Sequence, residues 1–264
     1  MRCNACGTLF PDRVPTMDTL GEAYDNYYTA RARPPWRRLV KLIVDAPRQA
    51  YLRRNTPAGA RRILDYGCGG GEYLERVSGG RSKAQLFGVE RERMITDPAV
   101  FTQVDDRNLE SMGPFDWVTL GHVIEHVADP DDLFKRLGAA LAPGGALWIA
   151  TPNAESFLIA AIGSLARDID FPRHVHLFSM DGLTQRLATA GLRVCLLPAP
   201  RLNALLNARD CWRNLWSDRS YPLAVKVRKA CALALVVLRH VLASNPRRLA
   251  DSPEIVAIAQ RREG

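Results

Sequence analysis

The chain has no long apolar run. Its longest uninterrupted stretch, Ala230 to Leu238, is far short of the roughly 20 residues that a membrane-spanning helix needs. No apolar segment follows a basic start, which predicts no signal peptide and a cytoplasmic protein. The six cysteines (3, 6, 68, 195, 211 and 231) show no framework spacing beyond Cys3-x-x-Cys6. That excludes a disulfide scaffold and predicts reduced thiols. Lysine is scarce, at 41, 83, 135, 226 and 229 only, so the net charge of +8 rests on scattered arginines. No stripe interleaves aromatic with basic residues as single-strand nucleic-acid binders do, so nucleic acid is a minority reading. There is no internal repeat and no low-complexity tract. The 264 residues, 47% of them hydrophobic, suit one large α/β domain with appendages, or at most two domains.

Against this background one stretch stands out, Ile63-Leu64-Asp65-Tyr66-Gly67-Cys68-Gly69-Gly70-Gly71-Glu72. An apolar run ending in an acid reads as a buried strand. The glycines let the backbone turn sharply and approach a ligand, and Glu72-Tyr73-Leu74 opens a helix. Strand, glycine turn and helix N-terminus together make a nucleotide site. The spacing is Gly67-x-Gly69-x-x-Glu72, with an acid where the dinucleotide fingerprint wants a third Gly or Ala. A carboxylate at Asp65 would repel a pyrophosphate, yet it suits a ligand bearing an ammonium and a sulfonium. S-adenosylmethionine (SAM) is such a ligand. Leu86-Phe87-Gly88-Val89-Glu90 reads as a second strand ending in an acid, at the offset where ribose hydroxyls are held. Ribose binding fits NAD as well; Asp65 and Glu72 turn the choice to SAM.

Further motifs follow in order: Phe115-Asp116-Trp117-Val118, Val123-Ile124-Glu125-His126-Val127, Leu141-Ala142-Pro143-Gly144-Gly145 and Thr151-Pro152-Asn153. With the glycine turn they resemble a class I SAM-dependent methyltransferase, of the group that includes the ubiquinone-pathway O-methyltransferases, over about Arg61 to Leu197. The resemblance implies a Rossmann-like sheet, mainly parallel with the last strand antiparallel, with helices on both faces and a C-terminal helical insertion. It implies that Asp65, Gly67 and Gly69 line the methionine end of SAM and that Glu90 takes the ribose hydroxyls. It gives the adenine amino group to Asp105, with Asp106 in competition. Tyr66, Cys68 and Gly121 complete the expected cofactor-binding set.

Alternating strand and helix independently predict a mainly parallel sheet. Expected strands are 62–66, 86–90, 102–104, 117–120, 146–150, 193–197 and 254–259. Asp129-Pro130-Asp131-Asp132 predicts a helix start, with a capping acid, Pro in first position and acids in the first turn. That helix is expected to reach Leu141, where Pro143-Gly144-Gly145 ends it. The expected division is a partial zinc-ribbon-like segment and linker at 1–35, then the methyltransferase domain at 36–264 with a helical insertion at 198–253. Cys3-x-x-Cys6 resembles one knuckle of a zinc ribbon. Tetrahedral zinc needs four ligands and the partner knuckle is missing, so an empty remnant is the expectation. Tyr24, Tyr27 and Tyr28 resemble the linker of such relatives, and Trp36 to Arg54 reads as a basic amphipathic helix.

Methyl transfer chiefly needs the acceptor aligned with the methyl group, and a hydroxyl acceptor also wants a base of near-neutral pKa. His174, in a loop after the fifth strand, and His126 are the candidate catalytic residues. Relatives tie an acid followed by Glu-His to a divalent metal. Here His122 replaces the first acid, so bracing by Glu125 and His126 competes with a metal triad, and no metal is assigned. The Asp-Pro-Pro-Tyr-type motif of amino-methylating DNA enzymes is absent. The expected reaction is methylation of a small molecule, most simply at a hydroxyl. RNA or protein methylation and a non-catalytic SAM-binding accessory role stand as alternatives. The basic, apolar stretch 223–248 fits peripheral membrane contact, or a lid or dimer helix.

Overall fold

The computed structural model describes residues 1–13, 50–79, 83–90, 100–199, 201–242 and 251–262. The tyrosines at 24, 27 and 28, most of the expected helix at 36–54, and Arg247 and Arg248 lie outside them. Residues 50–55 are helical. The chain forms two compact units, one of residues 1–48, 151–182 and 197–255, the other of 49–150, 183–196 and 256–264.

The second unit carries the sheet. Its strands are β1 (Arg62–Tyr66), β2 (Gln85–Val89), β3 (Thr102–Gln103), β4 (Phe115–Gly121), β5 (Leu141–Pro152), β6 (Leu192–Leu197) and β7 (Glu254–Arg261). They lie in the order β3-β2-β1-β4-β5-β7-β6. β1 pairs in parallel with β2 and with β4, β2 with β3, and β4 with β5. Asn153 N donates to Pro253 O at 3.0 Å, so β7 begins beside the end of β5. Arg262 N donates to Gly191 O at 3.2 Å, so it ends beside the start of β6. β7 therefore runs against its neighbours, which is the mainly parallel sheet with an antiparallel last strand expected from the sequence.

The strand interiors are continuous apolar runs because both faces are covered. Ile63, Leu64, Val118, Leu120, Leu147 and Ile149 are fully buried. Besides residues 50–55, the helices of this unit among the described residues are α1 (Glu72–Ser78), α2 (Leu109–Met112), α3 (Pro130–Ala139) and α5 (Met180–Thr189), the last beginning in the first unit. Asp129 caps α3, its carboxylate accepting from Asp132 N at 3.0 Å, and Pro130 stands in the first turn. Leu133, Phe134 and Leu137 seat the helix in the core. At the N-terminal edge, Asp116 Oδ2 accepts from the amides of Arg61 (2.7 Å) and Arg62 (2.9 Å), which fixes β1 beside β4.

One boundary differs from expectation. The Pro143-Gly144-Gly145 turn lies inside β5: Leu141 pairs with Phe115, and pairing resumes at Ala146 with Trp117 after a register shift. The three residues form a bulge, which strands tolerate by bending locally. Helix α3 stops at Ala139 accordingly.

In the first unit, α4 (Phe157–Ile162), α6 (Arg201–Ser217) and α7 (Leu223–Leu242) share a cluster that includes Phe157, Leu158, Cys211, Leu215 and Leu233. The Cys3-x-x-Cys6 turn closes through Gly7 N to Cys3 O at 2.9 Å, and Leu9 bridges antiparallel to Leu177. A Cβ on Gly182 would meet Thr8 Oγ1 at 2.2 Å, so the turn docks where α5 begins without a side chain. Among the described residues no His, Cys, Asp or Glu completes a three-ligand group with Cys3 and Cys6. No helix of the described residues is long and apolar enough to cross a membrane.

Leu64, with no exposed surface on the central strand, reports on this core. Leu64→Ala is expected to destabilise the protein by about 2–5 kcal/mol, read as a lowered urea midpoint. A wild-type midpoint would mean that the sheet is not the cooperative core.

Candidate active site

The site grows from the carboxyl end of β1. Asp65 pairs in register with Gly88 of β2 and Thr119 of β4, in the middle of the sheet. It is buried, and Thr119 Oγ1 donates to its Oδ1 at 2.5 Å. A carboxylate in that position persists only with such partners.

The backbone then turns. Gly67 N and Cys68 N both donate to Val89 O, at 2.7 and 3.0 Å, which ties the turn to the end of β2. Gly67 adopts φ +78°, and a Cβ there would lie 2.2 Å from Val123 Cγ2. Gly71 caps α1 at φ +78°, and a Cβ there would lie 2.4 Å from Phe101 Cε1. The same ring fills the space beside Gly88, where a Cβ would lie 2.7 Å from it. Among the described residues nothing lies within 4 Å of a Cβ built on Gly69 or Gly70. The turn is thus packed underneath and open over Gly69-Gly70, a cradle that a flat ligand fits.

Two acids border the cradle. Asp65 closes β1, and Glu90, following β2, reaches across so that its Oε2 accepts from Gly69 N at 2.7 Å. Cys68 is buried between them. Burial first, then the charges of Asp65 and Glu90, push its thiol up to about 12, so it stays protonated and non-nucleophilic.

Asp105, given the adenine amino group by the resemblance, and its competitor Asp106 occupy different settings. Asp105 caps the 3-10 turn Asp106–Asn108 at the surface, accepting from Arg107 N (2.9 Å), Nε (3.1 Å) and Nη2 (2.8 Å). These bonds hold its carboxyl down to about 2. Asp106 accepts from Tyr66 Oη at 2.8 Å and from Arg136 Nη1 at 3.1 Å. Burial, reinforced by Asp106, drives the Tyr66 phenol well above its ordinary value and keeps it a donor. Tyr66 is thereby committed to Asp106.

β4 ends at Gly121, and His122 follows at φ +58°, the one non-glycine with positive φ among the described residues. Its amide donates to Ala150 O at 2.8 Å, and its Nδ1 lies 3.4 Å from Oε1 of the fully buried Glu125. Glu125 and His126 share the 3-10 turn Ile124–His126, directly after the Val123 that packs under Gly67. In the first unit, His174 is buried, its Nδ1 2.7 Å from Asp168 O. A carbonyl only accepts, so Nδ1 carries the proton and Nε2 is the basic atom of the neutral ring.

Sequence reasoning passed over Thr119, Arg136 and Phe101, and quoted Val123 only within a motif. Thr119 left a trace as a hydroxyl inside the buried run Trp117-Val118-Thr119-Leu120. Arg136 and Phe101 act across long sequence separations and left none.

A glycine-turned β–α crossover bordered by two strand-end carboxylates defines a nucleoside-cofactor-binding α/β protein. The profile of the methyltransferase domain family matches residues 28–197. A ubiquinone biosynthesis O-methyltransferase of Xanthomonas axonopodis is 30% identical over 178 residues, covering 61% of this chain and 71% of the relative. That of Coxiella burnetii is 25% identical over 191 residues, covering 66% and 81%. A SAM-dependent methyltransferase from Archaeoglobus fulgidus superposes with a TM-score of 0.52 at 22% identity, covering 84% of this chain and 98% of that one. The cyclase SpnF does so equally well at 17% identity, covering 97% and 99%, so the fold alone does not choose the chemistry. The chain belongs to the class I SAM-dependent methyltransferase family. It is an enzyme whose cofactor is S-adenosylmethionine.

Two outcomes follow. Gly67→Ala should lower both the melting temperature and SAM affinity, and adding Val123→Ala should restore part of each; no recovery in calorimetry and titration would show that the clash is not the cause. With a thiol reagent at pH 8, the exposed Cys195 and Cys231 should react first. Cys68 should wait for unfolding, since its raised pKa cuts the thiolate about a thousandfold. Labelling of native Cys68 at the rate of Cys195 would contradict this.

Proposed function

We propose that the protein methylates a hydroxyl of a lipophilic small molecule in the cytoplasm, with SAM bound over the glycine turn of β1. The observation that carries the cofactor assignment is the pair of carboxylates, Asp65 and Glu90, bordering the cradle that Gly69 and Gly70 leave open. When bound, SAM supplies an electrophilic methyl group on a sulfonium whose thioether leaves readily. Asp65, fixed by Thr119, places negative charge for the cationic methionine end. Glu90 aligns for the ribose hydroxyls while bonded to Gly69. Asp105 is assigned the adenine amino group, because Asp106 already serves Tyr66 and Arg136. Gly67, Cys68 and Gly121 contribute backbone to the same site.

Hydroxyl methylation is supported by the relatives, which are named O-methyltransferases. The acceptor proton needs a base, and His174 fits the role through Nε2, its Nδ1–H being spent on Asp168 O. His126 is the second candidate. Glu125 braces the turn that carries His126, through its approach to His122. The lipophilic character of the acceptor and a peripheral contact of the 223–248 stretch with membrane belong to the same reading.

Titration calorimetry with SAM tests the cofactor assignment. Asp65→Asn and Glu90→Ala should each weaken binding at least about tenfold, the loss expected for a hydrogen bond to a charged group. Wild-type affinity in both would leave the assignment without support. On an accepted hydroxyl substrate, His174→Ala should lower kcat by about 10²-fold or more while SAM affinity holds. An unchanged kcat would pass the base to His126.

A further inference from the structure

In the first unit, α6 and α7 each bury one face in the cluster they share with α4 and turn the other to solvent. The outward face of α7 is apolar. Leu223 and Leu242 are each 68% exposed and Leu235 62%, with Val227 and Leu238 between them at helical spacing. A helix lying on a globular surface normally carries charge there, so α7 is hydrophobic on both sides. The outward face of α6 adds Leu205, Trp212 and Trp216, all exposed, with the two indole rings 6.0 Å apart. Patches of this extent mark an interaction surface.

The charges around the stripe are chiefly positive; the acids among them are Asp210 on α6, 3.3 Å from Arg209 and 3.6 Å from Arg213, and Asp218 in the connection. Arg209 and Arg213 on α6, Arg219 in the connection, and Arg228 and Arg239 on α7 are all exposed. From 219 to 250 the sequence contains no Asp or Glu. The lysines of α7 point elsewhere. Lys226 Nζ donates to Trp216 O at 3.3 Å and Lys229 Nζ to Ile162 O at 2.9 Å, each closing the C-terminal end of a neighbouring helix. The outward cations are therefore all guanidinium groups, which hold phosphate bidentately.

Resting on the peripheral contact read above for the 223–248 stretch and extending it to α6, we propose that the outward faces of α6 and α7 dock on an anionic lipid bilayer, with α7 lying in the plane of the headgroups. Aliphatic side chains would enter the acyl boundary, the indoles would sit at the polar interface, and the arginines would pair with lipid phosphates. The charge pattern selects this occupant over a second copy of the chain. An isologous contact would bring the arginines of α7 against one another with no acid on that helix to neutralise them. It also selects it over nucleic acid, since an aliphatic stripe offers bases nothing to stack on. The lateral position is consistent with the absence of a helix able to cross a membrane among the described residues.

Co-sedimentation of the full chain with vesicles tests the proposal. The protein should pellet with mixed phosphatidylglycerol–phosphatidylcholine vesicles, weakly with phosphatidylcholine alone, and less at high salt, with a blue shift of tryptophan emission. Trp212→Ser with Trp216→Ser, and separately Leu235→Ser with Leu238→Ser, should each lower the partition coefficient at least about tenfold. Arg228→Gln with Arg239→Gln should abolish the preference for anionic lipid. SAM titration of the same variants should give wild-type affinity, which shows them folded and keeps this test separate from that of the cofactor site. A chain that stays in the supernatant with anionic vesicles overturns the proposal. So does a dimer, seen by light scattering, that dissociates on Leu235→Ser with Leu238→Ser, or RNA binding without vesicle binding.

Discussion

A carboxylate inside a parallel sheet is costly, and the architecture of the site follows from how Asp65 is tolerated. Thr119 on the adjacent strand donates to it at 2.5 Å, and the registers of β1 with β2 and β4 hold the two residues level. The acid stays in place only while three strands keep that alignment, and the alignment is in turn enforced by fully buried neighbours such as Leu64 and Val118. The negative charge is therefore a property of the core as much as of the surface. In the function proposed, a cationic ligand end would meet it already oriented, without the cost of ordering a mobile side chain.

The turn that follows extends the same economy of motion. Backbone amides of Gly67 and Cys68 converge on Val89 O, while Glu90, one residue further on, takes the amide of Gly69. Strand β2 thus supplies both the anchor and the second carboxylate. Cys68 lies between the two acids and remains a neutral, non-nucleophilic thiol.

Much of this was legible in the sequence, for physical reasons. Ile63-Leu64 had to be a doubly covered strand because no polar alternation interrupts it, and Asp65 fell at its end by position alone. The mainly parallel sheet came from the alternation of strand and helix, and the antiparallel β7 from the likeness to a family. What stayed hidden is what depends on distance. Asp105 and Asp106 are neighbours with identical side chains. Only the structure separates them, through Arg107 beside one and Tyr66 with Arg136, thirty residues away, beside the other. Pro143-Gly144-Gly145 reads as a stop signal, yet it is absorbed as a bulge because Leu141 finds Phe115 before the turn begins. The outward face of α7 is a third case. Composition flags a basic apolar stretch, but only burial reveals that Lys226 and Lys229 face inward and leave leucine outside.

Phe101 carries a further consequence. One ring occupies the room left by both Gly71, at the head of α1, and Gly88, within β2. The three positions therefore form one packed corner, with Cys68 Sγ also 2.7 Å from a Cβ built on Gly88. Neither glycine can gain a side chain while the ring is whole, and trimming the ring leaves a hollow under both backbones. Evolutionary drift at this corner has to be concerted: a path that alters one of the three must pass through a weakened intermediate unless the others change with it. Position 101, outside every sequence motif, is in this sense part of the glycine turn.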